Sequence, residues 1–424
     1  MKINIRKING CTFVVVCFLI SNVSAFFGSL LNRTIFPYTN YLLMFLAIAI
    51  IFVYFIKSGY LHNVEKSVLF LFAYIFLYVI QYQLLDTSNS GALFGVSTYI
   101  ILLLQVITVF MASQYLSQVN QTSEYRAILL SFIFIIFVDV VHSFVVLSVN
   151  NEALRISTWQ NGKSYLDSMG LYGVCNVNHI YAFVCAVPIL EYLLENVKKS
   201  VVKLLLFIFT LMTVLLILRS GYTSSLLILL AYLFYKLFMR RNKVASYFAL
   251  AIAVAIFWVV AKEIGLFRIL ADIISNESVK ERFILIDSFL SGNSISGDLL
   301  IRVGGYSKGI EGFLKSPLLG NVIFGNRIIS GHSFLIDLLS DWGLLGFSLY
   351  IAFLHQTFKR LSRCFLYHSS NAFKESYYLL LIGLLINPLG HYVQVYASVF
   401  IFGVATLKYA DLNSSITVEP SSNK

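Results

Sequence analysis

The sequence predicts an all-α, polytopic integral membrane protein with about twelve transmembrane helices, and three observations support this fold class. Hydrophobic residues make up 58% of the 424 positions, charged residues make up only 12%, and the apolar residues are grouped in long runs. A soluble domain is about one quarter charged, so this chain could not cover a soluble surface of its size. The composition excludes a soluble enzyme, a disordered protein and, despite the net charge of +11, a nucleic-acid binder.

The apolar runs give the predicted spans. A helix needs about 20 apolar residues to cross about 30 Å of hydrocarbon. The run at 376–408 is too long for one span, and the Asn-Pro-Leu-Gly turn signal at 387–390 divides it into two. The other runs lie at 11–31, 38–56, 67–85, 93–113, 127–149, 177–194, 200–218, 221–239, 244–262 and 333–354.

The distribution of positive charge predicts the orientation, because short cytoplasmic loops carry an excess of Lys and Arg. With the N-terminus inside, 19 of the 31 Lys and Arg residues fall on the cytoplasmic side, four fall in short outer loops and eight fall in one long outer segment. We therefore expect a plasma-membrane protein with both termini in the cytoplasm. A cleaved signal peptide ending near Val23-Ser24-Ala25 is the alternative for the N-terminus, and it leaves the other spans oriented as before.

This topology divides the chain into four parts. Residues 1–262 hold spans one to nine, 263–331 form the long outer segment, 332–409 hold spans ten to twelve, and 410–424 form a cytoplasmic disordered tail. The five cysteines show no metal-ligand spacing, so no metal site and no cofactor is predicted.

The long outer segment contains a predicted amphipathic helix at 301–315. Its apolar residues follow a spacing of three to four residues, and its charged residues lie on other faces of the helix. Pro317 ends the helix. The pattern predicts a helix in the membrane interface that covers an outward-facing cavity. A capping loop with solvated charges is the alternative. The apolar positions are Val303, Tyr306, Ile310, Phe313 and Leu314.

Several motifs then follow in order along the chain. They are Asn176-Val177-Asn178, Arg219-Ser220-Gly221-Tyr222-Thr223, Arg302, Pro317-Leu318-Leu319-Gly320, Gly331-His332 and Trp342-Gly343-Leu344-Leu345-Gly346. In this order the sequence resembles the O-antigen ligase and Wzy-type polysaccharide polymerase superfamily. Two departures stand out: Val177 replaces a proline, and Tyr222 stands where an arginine is expected, with Arg219 one helical turn earlier.

The resemblance implies a GT-C-like bundle and a bacterial surface-polysaccharide polymerase, for O-antigen, capsule or exopolysaccharide. It implies transfer of a glycan from undecaprenyl pyrophosphate to the acceptor hydroxyl of another lipid-linked repeat unit, at the outer face of the bacterial inner membrane. It also implies a chain-length regulator and a flippase of the same pathway as partners. An O-antigen ligase with a lipid-core acceptor and a flippase or exporter of lipid-linked oligosaccharide remain alternatives, although a flippase has no stated need for the long outer segment.

The leaving pyrophosphate requires cationic donors. The sequence contains no Asp-x-Asp pair to hold a divalent metal, so arginine forks are the natural substitute and the transfer is expected to be metal-independent. The predicted pyrophosphate ligands are Arg302, Arg219, Arg282 and Arg327. For arginines chosen without a motif, an ordinary ion pair is the alternative.

His332 is the predicted catalytic base for the acceptor hydroxyl, with a helix-capping or interfacial role as the alternative. The predicted substrate-binding residues are Asn178, Tyr222, Asp337, Asp341 and His391. Solvated or arginine-paired carboxylates are the alternative for the two aspartates, and an interfacial position is the alternative for His391. For Asp139 and His142 in the fifth span, a proton relay and a structural contact both stay open.

Overall fold

The computed structural model describes residues 9–36, 38–58, 70, 73, 75–76, 96–119, 121–158, 161–239, 264–273, 277–290, 298–324, 328, 330–388, 390 and 392–416. Across these ranges every regular element is helical, and no strand occurs. Six of the described helices are long and apolar enough to cross a membrane, or seven if one bent pair forms a span. These helices confirm the prediction of a helical, membrane-embedded protein. The predicted span at 244–262 lies outside the described residues, as does most of the one at 67–85.

The helices are numbered here in chain order. The first half of the chain holds α1 (Gly10–Phe18, continued by a π-turn Leu19–Val23), α2 (Ala25–Thr34), α3 (Thr39–Lys57), α4 (Val96–Gln118), α5 (Thr122–Val149), α6 (Ala153–Ile156), α7 (Gly162–Ser168) and α8 (Val177–Asn196). The second half holds α9 (Ser200–Arg219), α10 (Thr223–Met239), α11 (Leu266–Ile273), α12 (Glu277–Leu290), α13 (Asp298–Lys315), α14 (Phe334–Ser362), α15 (Tyr367–Ile386), α16 (Val393–Tyr396, continued by a π-turn Ala397–Phe402) and α17 (Gly403–Ile416).

Burial separates central helices from peripheral ones. In α8 and in the span Val393–Leu412, 78% of the apolar window is buried inside the protein, whereas in α3 and α9 only 28% is buried. The first pair therefore forms the centre of the bundle, and the second pair presents most of its surface to the surrounding lipid. Aromatic rings fill the centre: Phe132 of α5 stacks on Phe402 at 4.7 Å between centroids.

Helix α15 ends at Ile386 and the chain becomes helical again at Val393. The turn signal at 387–390 therefore divides the long apolar run as predicted. Pro388 cannot continue a helix because its ring removes the backbone donor. The same rule holds at α13, which ends at Lys315, two residues before Pro317.

The chain of the predicted first span is sharply bent. Helices α1 and α2 meet at an angle of 92°. The carboxylate of Asp139 accepts hydrogen bonds from the Ser24 hydroxyl at 2.8 Å, from the Ala25 N–H at 3.0 Å and from the Phe26 N–H at 2.9 Å. An acidic group at a helix N-terminus satisfies backbone donors that have no partner within the helix. Asp139 is therefore the cap that stabilises this bend.

His142, the other half of the predicted relay pair, also makes a structural contact. Its Nε2 lies 2.7 Å from the carbonyl oxygen of Tyr172, and its ring packs on Phe26 at 4.7 Å between centroids. These bonds support the structural alternative for Asp139 and His142 over the proton relay.

Helices α8, α10 and α15 are joined by a polar cluster near the C-terminal ends of α8 and α10 and in the middle of α15. The Tyr232 hydroxyl donates to Glu191 Oε2 at 2.6 Å, and the Lys236 ammonium lies 3.3 Å from a carboxylate oxygen of both Glu191 and Glu375. Lys236 contributed to the cytoplasmic charge count in the sequence. In the folded protein its charge is paired within the bundle, so part of the apparent topological signal is a helix-packing contact.

The turn at 317–320 is joined to helix α14 by backbone hydrogen bonds. Helix α14 is broken at Gly343, whose backbone adopts φ 60° and ψ −160°. The N–H groups of Leu344 and Leu345, released from the helix by this break, donate to the carbonyls of Pro317 at 2.8 Å and Leu318 at 3.1 Å. A broken helix at membrane depth requires such internal partners. The 317–320 turn thus completes the helix break at Gly343.

We expect Gly343→Ala to lower the free energy of unfolding by about 1–3 kcal/mol, because the φ and ψ angles of Gly343 are adopted almost exclusively by glycine. An added Cβ would also lie 2.5 Å from the Leu318 carbonyl carbon. Thermal unfolding in detergent measures the effect. Gly304→Ala is the matched control, because nothing lies within 4 Å of its Cβ position and alanine favours a helix. Equal melting temperatures for the two variants would contradict the interlock.

Candidate functional site

Helix α13 confirms the predicted helix at 301–315, and it packs through glycines. Gly305, Gly309 and Gly312 form one face that is buried against the segment 328–340. An added Cβ would lie 2.7 Å from the His332 ring at Gly305 and 2.6 Å from the Ile336 side chain at Gly309. Only glycine permits this close approach of the two chains.

The predicted apolar positions of α13 lie on other faces. Val303, Ile310 and Leu314 are exposed, whereas Tyr306 and Phe313 are half-buried. The buried face is therefore made of glycines, while the aliphatic residues remain open to the surroundings, as an interfacial helix requires.

His332 lies directly before α14, and its ring packs against Gly305 of α13. The ring also meets Tyr306 edge to face, with centroids 6.4 Å apart and planes at 80°. The helix cap belongs to a different residue: the Ser333 hydroxyl accepts from the Ile336 N–H at 3.2 Å. The capping role that remained an alternative for the His332 side chain is thus filled by Ser333, and the imidazole is half-buried beside α13.

Arg302 and Tyr306 are one helical turn apart on α13 and lie over the end of the bundle. The Tyr306 hydroxyl donates to the carbonyl of Ile386 at 3.3 Å, at the last residue of α15. The Tyr306 hydroxyl therefore connects α13 to the end of α15.

Tyr181 in turn joins three helix ends. Its hydroxyl donates to Ser224 Oγ of α10 at 2.6 Å and accepts from the side-chain amide of Asn387, which follows α15. We call the set Arg302, Tyr306, His332, Tyr181, Asn387 and Ser224 the convergence site. Sequence reasoning missed Tyr181, Asn387 and Ser224 because no motif marks them; the only signal was the Asn-Pro turn that contains Asn387.

Asn178 stands one helical turn before Tyr181 on the same face of α8. The residue is 5% exposed, and its side-chain oxygen has no hydrogen-bond donor among the described residues. Buried acceptors are almost always satisfied in native proteins. The predicted substrate-binding residue Asn178 therefore lies buried one helical turn from Tyr181 of the convergence site.

Asp337 folds the segment that carries His332. Its two carboxylate oxygens accept from the Ser330 N–H at 2.6 Å and from the Gly331 N–H at 3.2 Å. The Ser330 hydroxyl accepts from the His332 N–H at 3.1 Å. These bonds give Asp337 a positioning role for the residue before α14, whereas the sequence predicted a contact with substrate.

We expect Asp337→Ala to lower the free energy of unfolding by about 1.5–3 kcal/mol, because two backbone donors lose a charged acceptor. Asp337→Asn retains one acceptor oxygen, so it should recover part of the loss. Thermal unfolding in detergent gives the ranking. If the alanine and asparagine variants were both as stable as the wild type, the positioning role would be wrong.

Asp341 lies one turn further along α14 and is buried at the helix break. Its carbonyl oxygen lies against Gly320, where a larger residue would not fit. Asp337 and Asp341 therefore serve two different regions of the fold, the 330–331 segment and the 317–320 turn.

Arg219 and Tyr222 lie beside the convergence site, since Ser224 follows them. The Arg219 guanidinium donates to the Asn151 side chain at 3.4 Å, and the Tyr222 hydroxyl donates to the carbonyl of Leu154 at 2.6 Å. These described contacts connect the pair to the segment after α5 and do not join them to Arg302 or His332.

The remaining predicted site residues are not tested by the structure. Arg327 and His391 lie outside the described residues, and the same applies to the side chain of Arg282, which falls in α12. Within the ranges that the structure describes, no group of three or more His, Cys, Asp or Glu residues could hold a metal ion. The donors that do converge are an arginine, an imidazole, phenols and amides, which suit an anionic ligand with hydroxyl groups.

Comparison with known proteins does not assign the chain to a family. No protein-family model matches the sequence, and no curated protein matches it. The resemblance to polysaccharide polymerases therefore depends on the motifs and their order.

Proposed function

We propose that this protein is a bacterial membrane glycosyltransferase that polymerises a surface polysaccharide from undecaprenyl-pyrophosphate-linked repeat units. The observation that supports it best is the packing of the His332 ring against Tyr306, one helical turn after Arg302 on α13. Arg302 and His332 come from separate motifs, and the proposed reaction needs a cation for the leaving group and a base for the acceptor.

The proposed topology gives the side of the membrane on which the reaction would occur. The chain would cross the inner membrane about twelve times in a GT-C-like arrangement, with both termini in the cytoplasm. The convergence site, at the end of the bundle where α8 and α10 begin and α15 ends, would then face the periplasm. A lipid-linked donor that has been flipped outward would reach it from the outer leaflet.

In the proposed reaction, the acceptor hydroxyl oxygen attacks the anomeric carbon of the donor glycan. The bond from that carbon to the pyrophosphate oxygen breaks, and its electron pair leaves with the lipid pyrophosphate. The proton of the acceptor hydroxyl passes to the His332 imidazole. Arg302 stabilises the charge that develops on the leaving group, as a planar fork that matches two phosphate oxygens.

Glycan recognition would use the groups around this pair. The buried side-chain oxygen of Asn178 can accept a hydrogen bond from a sugar hydroxyl. Tyr306 is half-buried, and its ring would supply an aromatic surface for a sugar ring. Asp337 contributes indirectly, because it holds the segment that carries His332.

The experiment that tests the proposal uses the full-length protein in lipid vesicles with undecaprenyl-pyrophosphate-linked repeat units. We expect a ladder of longer glycans, with one undecaprenyl pyrophosphate released for each new bond. Transfer of glycan only to an added lipid-core acceptor would identify a ligase instead. Movement of the lipid-linked unit across the bilayer without elongation would identify a flippase, and either result would overturn the polymerase proposal.

A further inference from the structure

The bend between α1 and α2 interrupts helical hydrogen bonds on both of its sides. Asp139 accepts from the N–H groups at the start of α2. The carbonyl of Val23, the last residue before the bend, is bonded from another direction, since His179 Nε2 lies 3.1 Å from its oxygen. A carbonyl oxygen can only accept, so this ring nitrogen donates. His179 therefore satisfies the acceptor side of the break, and Asp139 satisfies the donor side.

His179 belongs to the first turn of α8, which begins at Val177. The residue is 6% exposed. Its Nδ1 faces Asn176, with the backbone nitrogen of Asn176 3.4 Å away and the side-chain oxygen 2.8 Å away. Asn176 in turn caps the helix, since its side-chain oxygen accepts from the Asn178 N–H at 3.0 Å. One imidazole therefore joins the cap of α8 to the α1–α2 bend.

A second set of contacts holds the segment that leads into α8. The Cys175 N–H donates to the Ser143 hydroxyl at 3.3 Å, and the Cys175 thiol donates to the backbone carbonyl of Asp139 at 3.7 Å. Just before it, a Cβ added at Gly173 would lie 2.9 Å from the Phe26 Cα, so the chain passes directly over the start of α2. The beginning of α8 is therefore held against α5 and against the bend.

Residues on other faces of the same helix start belong to the convergence site or lie next to it. Asn178 precedes His179, and Tyr181 follows it by two residues, which is a rise of about 3 Å along the helix. The Tyr181 hydroxyl donates to Ser224 and accepts from Asn387. Because hydrogen bonds make adjacent turns of a helix rigid, a shift of the first turn of α8 would carry Tyr181 with it.

We propose that His179 is a positioning residue for the convergence site, whose bond to the Val23 carbonyl fixes the height and rotation of the first turn of α8. The inference rests on the proposed function, because it assigns to that reaction a residue that acts through Asn178 and Tyr181. It also makes the α1–α2 bend a requirement of the reaction, although Val23 lies 156 residues before His179 in the chain.

The first arm of the test is the rate of glycan transfer in vesicles, expressed per folded molecule. His179→Leu lacks a donor, and we expect it to transfer at least about tenfold more slowly than the wild type, because misplaced substrate-binding groups can lower rates by about a hundredfold. His179→Gln carries an amide N–H the same number of bonds from the backbone as Nε2, so it should recover most of the rate. Equal rates in His179→Leu and the wild type, or equal losses in the two variants, would overturn the proposal.

Ser376→Ala is the matched control. The Ser376 hydroxyl donates to the carbonyl of Cys185 in the middle of α8, about two turns from His179, so this variant also removes a buried bond between a side chain and a backbone carbonyl. It should lower the melting temperature without lowering the transfer rate per folded molecule. A rate loss equal to that of His179→Leu would overturn the positioning role, because any loosened contact of α8 would then slow transfer.

The second arm does not depend on activity. Hydrogen exchange of the backbone amides at 177–182, measured on the full-length protein in detergent, should be at least about tenfold faster in His179→Leu than in the wild type. The reason is the loss of a hydrogen bond that holds the start of the helix. Exchange at 177–182 should stay at the wild-type rate in Ser376→Ala. Unchanged exchange in His179→Leu would overturn the proposal.

The positioning role and the proposed function fail in different ways. If the wild type transfers no glycan, the polymerase function is wrong, and the exchange measurement still decides whether His179 fixes the start of α8. If the wild type transfers glycan and His179→Leu transfers it equally fast, the function stands and the positioning role is wrong.

Discussion

Replacing His332 with alanine should reduce polymerisation by at least about a hundredfold, because a positioned general base contributes about 10²–10⁴ to the rate. The His332 imidazole lies beside Tyr306, which is one helical turn from Arg302 on α13. No helix cap depends on the imidazole, because the Ser333 hydroxyl accepts the capping hydrogen bond from the Ile336 N–H. Cells that carry His332→Ala should therefore contain the protein in normal amounts but display single-unit glycans. The length distribution of surface polysaccharide on a gel measures this directly.

His368→Ala is the matched control, because His368 is exposed on α15, almost the length of that helix away from the convergence site. It should leave the glycan ladder unchanged. A normal ladder in cells that carry His332→Ala would contradict the assignment of His332 as the base. If the variant were lost from the membrane, thermal unfolding of the purified variant would show whether the substitution impairs folding.

Replacing Arg302 with lysine should lower the rate of transfer by about ten- to a hundredfold, although the charge is retained. A charged hydrogen bond contributes about 1.5–3 kcal/mol, and the lysine ammonium cannot reproduce the planar fork that bonds two phosphate oxygens together. The initial rate of undecaprenyl pyrophosphate release in vesicles is the measurement. The change should fall mainly on the catalysed step, since the substitution preserves long-range attraction for the anionic donor.

Arg363→Lys provides the comparison for this substitution. Arg363 is an exposed residue just after α14, on the side that the charge distribution assigns to the cytoplasm. It should support the wild-type rate. Undiminished transfer by Arg302→Lys would show that Arg302 acts only as a point charge or not at all.

Both predictions depend on how rigidly α13 is held over the bundle. The glycine face of α13 lies against side chains of the 328–340 segment, and the interlock between the 317–320 turn and the break at Gly343 consists of backbone hydrogen bonds. Asp337 adds two hydrogen bonds that fold the segment before α14. The proposed base and the proposed cation are thus placed by close packing on the α13 glycines together with backbone hydrogen bonds.

Local patterns were sufficient to predict most of the helical segments. The apolar runs, the helix at 301–315 and the breaks at Pro317 and at 387–390 all follow from periodicity and from residues that cannot continue a helix. Motif order predicted that Arg302 and His332 belong to one site. The ring contact between His332 and Tyr306, one helical turn after Arg302 on α13, supports that hypothesis.

Sequence by itself determined that this is a helical membrane protein and where many of its helices begin and end, because those properties depend on residues close together in the chain. Only the tertiary structure shows that glycines are the buried face of α13, that Asp139 caps a bent helix, and that Asn387 bonds to Tyr181. Each of these depends on which distant helices touch. In a chain whose helices are apolar almost all round, periodicity does not specify the touching face.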